Sequence, residues 1–163
     1  MGHALTMTFE RWFPDAEALG AFGGAIGARL AVGDAVCLRG PLGAGKSTFA
    51  RGLIRALTSP DEDVPSPTFT LVQLYAAEAF PVAHFDLYRL KSAEEAYELC
   101  LDEALDDGVA VIEWPERLGD APPADRLDIE ISLPEPGEAE GRRLRLTGHG
   151  RLQDFGQGRD AFD

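Results

Sequence analysis

Ala35-Val36-Cys37-Leu38, then Gly40-Pro41-Leu42-Gly43-Ala44-Gly45-Lys46-Ser47-Thr48, then Phe49 to Leu57: an apolar run, a glycine-rich turn and a helical segment follow without interruption. The run reads as a buried strand and the last segment as a helix. The turn fits G-x-x-x-x-G-K-[ST], the Walker A or P-loop pattern, whose backbone amides cradle the phosphates of a nucleoside triphosphate. Composition draws attention to the same place. The chain has two lysines against thirteen arginines, and one of the two is Lys46. A compact ammonium reaches β- and γ-phosphates where a planar guanidinium would not fit. Gly43, Ala44, Gly45, Lys46, Ser47 and Thr48 are therefore the candidate phosphate-binding residues, with Lys46 also facing the reacting phosphates.

At 163 residues the chain suits one domain. Hydrophobic content of 45% and charged content of 26% are ordinary for a globular protein. No apolar run approaches the ~20 residues that span a bilayer. The first residues lack a basic-then-apolar signal layout, so the expected compartment is the cytoplasm. A net charge of −13 argues against an independent grip on nucleic acid. It favours a basic protein partner instead. Arg142, Arg143 and Arg145 form a local basic patch that a solvated strand edge explains equally well. Cys37 and Cys100 are far apart in sequence and read as small buried hydrophobes.

Outward from the loop, Pro14-Asp15 reads as the entry to a first helix whose buried stripe is Leu19, Phe22, Ile26 and Leu30. Phe69 to Tyr75 and Phe80 to Asp86 read as a hairpin. Ser92-Ala93-Glu94-Glu95 is a capping box, predicting one helix that runs to Asp107 with Tyr97, Cys100, Leu101, Ala104 and Leu105 inward. Val109-Ala110-Val111-Ile112 predicts a strand buried on both faces. Leu127, Ile129, Ile131 and Leu133, then Leu144 and Leu146, predict a C-terminal hairpin. The fold class is α/β: a single P-loop domain over residues 1–150, a central mixed sheet flanked by helices, and a disordered tail over 151–163.

A P-loop works with Mg²⁺, and the metal needs oxygen ligands. Ser47 supplies a hydroxyl. Glu113 ends Val-Ala-Val-Ile-Glu and Asp86 ends Val-Ala-His-Phe-Asp, two carboxylates at strand ends. We assign Ser47 and Glu113 to the metal and Asp86 to hydrolysis, an order that the sequence leaves reversible. Trp114 either packs near the nucleotide or fills the core.

Four blocks, Gly-Pro-Leu-Gly-Ala-Gly-Lys-Ser-Thr-Phe, Ser66-Pro67-Thr68-Phe69-Thr70-Leu71-Val72, His84-Phe85-Asp86-Leu87-Tyr88-Arg89-Leu90 and Glu113-Trp114-Pro115-Glu116, resemble the bacterial TsaE (YjeE) family in order and over most of the chain. That resemblance implies the ATPase component of the machinery that makes threonylcarbamoyladenosine in tRNA. It implies ATP and Mg²⁺ as cofactors, TsaD- and TsaB-like partner proteins, and contact with tRNA only through that complex. It also implies that Thr68 senses the γ-phosphate and joins Asp86 and Lys46 in catalysis. Turnover is expected to be weak alone and stimulated by the partners. Pro41 and Ser47 depart from the Asp and Thr frequent in the family, though Ser47 keeps the ligand oxygen. The chain has no asparagine, so it lacks the Asn-Lys-x-Asp segment of guanine readers, which favours ATP. A small-molecule or nucleotide kinase is the alternative, but residues 90–125 carry no Arg-rich lid.

Overall fold

A central strand must bury both its faces, and the run that precedes the glycine-rich turn does so. Side chains alternate across a strand. Val36 and Leu38 accordingly enter one apolar layer, while Ala35 and Cys37 enter the other. The computed structural model describes residues 8–67, 70–98 and 100–155. In chain order these form β1 (Thr8–Phe13), α1 (Ala16–Gly27), β2 (Ala35–Arg39), α2 (Lys46–Leu57), β3 (Val72–Tyr75), β4 (Val82–Asp86), α3 (Ala93–Glu98), α4 (Leu101–Asp107), β5 (Val109–Glu113), β6 (Arg126–Ser132) and β7 (Arg142–His149). Short 3-10 turns at Pro115–Leu118 and Gly150–Leu152 follow β5 and β7.

The strands form one mixed sheet in the order β1-β7-β6-β2-β5-β4-β3. β6, β2, β5 and β4 are parallel neighbours, and β7, β1 and β3 add antiparallel pairs at the two sides. Leu19, Phe22 and Ile26 of α1 and Phe49, Leu53 and Ile54 of α2 cover one face. Leu101 of α4 and Leu118 cover the other, against Cys37, Phe85, Ala110 and Ile112. Among the described residues no helix is long and apolar enough to cross a membrane.

The two helices beside the loop touch backbone to backbone. A Cβ on Gly52 would sit 2.0 Å from the Gly20 carbonyl oxygen, and one on Gly23 would sit 2.4 Å from that of Phe49. Only glycine allows this approach, and it holds α2, with the loop at its head, against α1.

Four expectations are corrected. The helix read over 92–107 is two, because Cys100 takes a left-handed backbone (φ 68°) between α3 and α4. The break turns Leu101 into the core and leaves Cys100 exposed, while Tyr97 hydrogen-bonds the Ala121 carbonyl. The arginine patch lies on β7, which is paired on both sides and is no edge. β1, unread in the sequence, is the strand that covers it. The segment 151–155 is docked rather than disordered: Leu152 and Phe155 are buried, Arg151 pairs with the buried Asp34, and Arg29 lies 4.3 Å over the Phe155 ring. Residues 156–163 lie outside the described residues.

Gly52→Ala should destabilise the protein by about 1–3 kcal/mol, because the helices must separate to admit one methyl group. The midpoint of urea unfolding reads this directly. A midpoint within error of the wild type would show that the helix contact is not close-packed.

Candidate functional site

The loop between β2 and α2 is built from positions where its neighbours leave no room. Gly40 has φ 147°, and a Cβ there would lie 2.4 Å from the Ile131 carbonyl oxygen of β6. Gly45 has φ 112°, and a Cβ would lie 2.6 Å from the Leu19 side chain of α1. The Ala44 amide donates to the Pro41 carbonyl at 3.1 Å, closing the turn. Gly45 is the N-cap of α2 and has no side chain with which to cap it. The first-turn amides of α2 therefore face the loop with their partial positive charge, an arrangement suited to an oxyanion.

Parallel register fixes the carboxylates. Asp86 of β4 and Glu113 of β5 are direct cross-strand partners, and Glu113 is level with Leu38 of β2 on its other side. Both acids stand at the carboxyl ends of their strands, where open parallel sheets bind ligands. Glu113 is 3% exposed and is gripped at both oxygens. The Ser47 hydroxyl donates to Oε1 at 3.3 Å, and His84 Nε2 lies 2.7 Å from Oε2. His84 is itself buried, and its Nδ1 has no partner among the described residues. Asp86 Oδ1 accepts the Tyr88 amide at 3.0 Å.

Lys46 opens α2, 5% exposed. Its ammonium donates to the carbonyls of Gly40 and Pro41, the latter at 3.3 Å, and lies 4.1 Å from the centroid of the Trp114 ring. Burial pushes its pKa below the usual lysine range, against the opposing pull of Glu113, Glu116 and Asp86. Trp114 takes a left-handed backbone (φ 61°) directly after Glu113, which swings its indole over Lys46 and onto the Tyr88 ring, 4.9 Å away. Such a backbone is uncommon for a bulky residue. Trp114 thus stands at the site rather than deep in the core.

One cavity of about 290 Å³ gathers these groups: Lys46, Ser47, Thr48, Asp86, Glu113 and Trp114, with Gly43 and Gly45 from the loop. A second cavity of about 490 Å³ opens on the other side of the loop, between the start of α1 and the start of β7; Ala44, Gly45 and Thr48 line it. Every candidate named from sequence reaches one of the two cavities except Thr68, which lies outside the described residues. Ser66, two positions earlier, lines the first cavity. Two residues make contacts at the site that the sequence reading did not assign to them. His84 shares a strand face with Asp86, so the alternation along Val82–Asp86 was its one signal. Arg142 donates to the carbonyls of Ala44 and Gly43 from 98 and 99 positions away. No local pattern carries that contact.

The model of the family "Threonylcarbamoyl adenosine biosynthesis protein TsaE" matches residues 13–143. The chain is similar to the tRNA threonylcarbamoyladenosine biosynthesis protein TsaE of Rickettsia bellii, 40% identical over 69% of this chain and 78% of that one. It is also similar to the protein of that name from Bacillus subtilis, 38% identical over 66% of this chain and 67% of that one. Of the Rickettsia felis relative, 43% identical, it spans 58%. Among solved structures it is similar to Bacillus subtilis YdiB, with a TM-score of 0.75 and 27% identity over 94% of this chain and 93% of that one.

His84→Leu should cost about 1–3 kcal/mol, because it strips a buried carboxylate oxygen of its donor. In the double variant His84→Leu/Glu113→Leu the loss should be smaller than the sum of the single losses, since no orphaned charge remains. Denaturant unfolding of the four proteins checks this. Additive losses would mean that the two side chains do not support each other.

Proposed function

The chain belongs to the TsaE family of threonylcarbamoyl adenosine biosynthesis proteins, and on that premise we propose that it binds ATP with Mg²⁺ and hydrolyses it slowly in the service of tRNA modification. One observation carries the reading: the uncapped head of α2, Lys46, Ser47 and two strand-end carboxylates converge on a single cavity. A triphosphate laid along that helix end meets backbone amides and the helix dipole. Lys46 then exchanges the carbonyls of Gly40 and Pro41 for phosphate oxygens. The exchange is favourable because a partly desolvated ammonium gains a full opposite charge.

The donor set suits a hard divalent cation, namely a serine hydroxyl and carboxylates with no thiolate. Ser47 and Glu113 would hold Mg²⁺, which neutralises charge on the β- and γ-oxygens when bound. His84 fixes the rotamer of Glu113 from behind, so the carboxylate presents its other oxygen to Ser47. Asp86, one strand over, would orient an attacking water and accept its proton. The Tyr88 amide keeps Asp86 from turning away. Thr68, four positions before β3, would complete the site by meeting the γ-phosphate.

TsaD- and TsaB-like proteins are the proposed partners, with tRNA reached only through them. The acidic surface agrees with basic protein partners and with the lack of an RNA grip. Coupling is reciprocal: if partner binding promotes turnover by bringing Thr68 onto the γ-phosphate, then ATP tightens partner binding.

Lys46→Ala should abolish most ATP affinity and leave the urea midpoint near that of the wild type, since its ammonium faces the loop and not the core. Isothermal calorimetry decides it, and unchanged affinity would sink the phosphate-binding assignment. Partner affinity should also be higher with a non-hydrolysable ATP analogue than with ADP. Fast phosphate release by the lone protein, together with nucleotide-independent partner binding, would favour a kinase instead.

A further inference from the structure

Arg142 is the first residue of β7, and its guanidinium has three backbone acceptors. Nε–H donates to the Ala44 carbonyl at 3.0 Å, Nη2–H to the Gly43 carbonyl at 3.2 Å, and Nη1–H to the Gly141 carbonyl at 2.7 Å. The first two acceptors belong to consecutive peptides of the glycine-rich loop, and the planar fork matches their spacing. The third ties the fork to its own strand. Gly141 holds that strand end close in: a Cβ there would lie 2.5 Å from the Trp12 ring and 2.6 Å from the Phe13 carbonyl oxygen of β1.

A trans peptide is planar, and its C=O and N–H leave opposite edges of the plane. Fixing the Ala44 carbonyl therefore fixes the Gly45 amide, which must point away from Arg142 and into the loop. The neighbouring peptide is held at both ends: its carbonyl on Gly43 meets Arg142, and its amide on Ala44 meets the Pro41 carbonyl at 3.1 Å. Glycines at 43 and 45 leave these planes free to flip, because both already have positive φ. Something must stop the flip if the amides are to be ready for an anion. A cation at the carbonyl side also polarises each peptide so that its N–H end is more positive.

We infer that Arg142 is a positioning residue for phosphate binding: its fork locks the Gly43 and Ala44 carbonyls so that the loop amide at Gly45 is directed at the phosphates. Because the inference rests on the phosphate-binding reading above, its test separates the two. Lysine at this position keeps the charge and loses the fork, so it is the informative variant beside alanine.

The experiment measures affinity for ATP, ADP and inorganic triphosphate in the wild type, Arg142→Ala and Arg142→Lys, with a thermal melt of each protein without ligand. Arg142→Ala should lose about tenfold or more in affinity for all three ligands, as befits charge-assisted hydrogen bonds. Arg142→Lys should melt close to the wild type and still lose severalfold. Inorganic triphosphate isolates the effect on the loop from any contact with a base. If the wild type binds and Arg142→Lys binds all three equally well, the inference is overturned while the phosphate site stands. If Arg142→Lys loses affinity for ATP and ADP but not for inorganic triphosphate, the residue serves the nucleoside and the inference is again overturned. If the wild type binds none of the three, the phosphate reading falls and takes the inference with it.

Discussion

Six residues have to carry the chain from the end of a buried strand to the head of a buried helix, and three other elements crowd the turn while it does so. β6 abuts Gly40, α1 abuts Gly45, and β7 sends Arg142 onto the carbonyls of Gly43 and Ala44. The loop's shape therefore follows from its surroundings more than from its own hydrogen bonds. A turn with so little internal bonding would sample many conformations in isolation, because glycine has the most backbone freedom to lose. Here the close contact between α1 and α2 is part of the loop's definition. If the helices moved apart, Leu19 would withdraw from Gly45 and the turn would widen.

The register of the parallel strands imposes the second constraint. β4, β5 and β2 end at one level, so Asp86, Glu113 and the loop come to the same edge of the sheet. Placing two carboxylates and a lysine there, all nearly buried, works against stability. Each is compensated locally: Glu113 by Ser47 and His84, Asp86 by the Tyr88 amide, Lys46 by two carbonyls and the Trp114 ring. Lys46 rests on neutral carbonyls and a ring, and the Lys46–Glu113 charge pair acts only as a raising influence on an ammonium whose pKa is depressed overall. An arrangement that satisfies charges without neutralising them is one that stronger partners can reorganise.

The features legible in the sequence are those with local causes. The loop, β2, α2 and β5 are written in glycine placement and in unbroken apolar runs, and the strand-end carboxylates follow from those runs. β1 was not legible: Thr8-Phe9-Glu10-Arg11-Trp12-Phe13 does not alternate cleanly, and it becomes a strand by pairing with β7, 129 to 139 positions away. The break at Cys100 was hidden because a non-glycine left-handed residue leaves no mark in a helical pattern. The docking of Leu152 and Phe155 was hidden because the aspartate that anchors Arg151 sits 117 positions earlier. Arg142 looked like a surface cation for the same reason. Its role exists only once β7 has been placed beside the loop.

Charge gives the proposed chemistry a further constraint. Asp86, Glu113 and Glu116 all act on Lys46, and the first two line the cavity with it, so two carboxylates stand there near one ammonium. A triphosphate entering such a place is repelled by the side chains even as the α2 amides attract it. In a partly buried site, with an effective dielectric constant near 20, each like-charge contact at about 4 Å costs about 4 kcal/mol before screening. Two such contacts would work against the attraction that the amides and Lys46 supply. A divalent cation held by these carboxylates would reverse the sign of that repulsion. On the proposed reading, then, nucleotide binding and metal binding are not two events that happen to share a pocket. On that reading the neighbouring carboxylates of Asp86 and Glu113 would make the first depend on the second, and Arg142, standing behind the loop on the side away from the carboxylates, would add positive potential without competing for the metal.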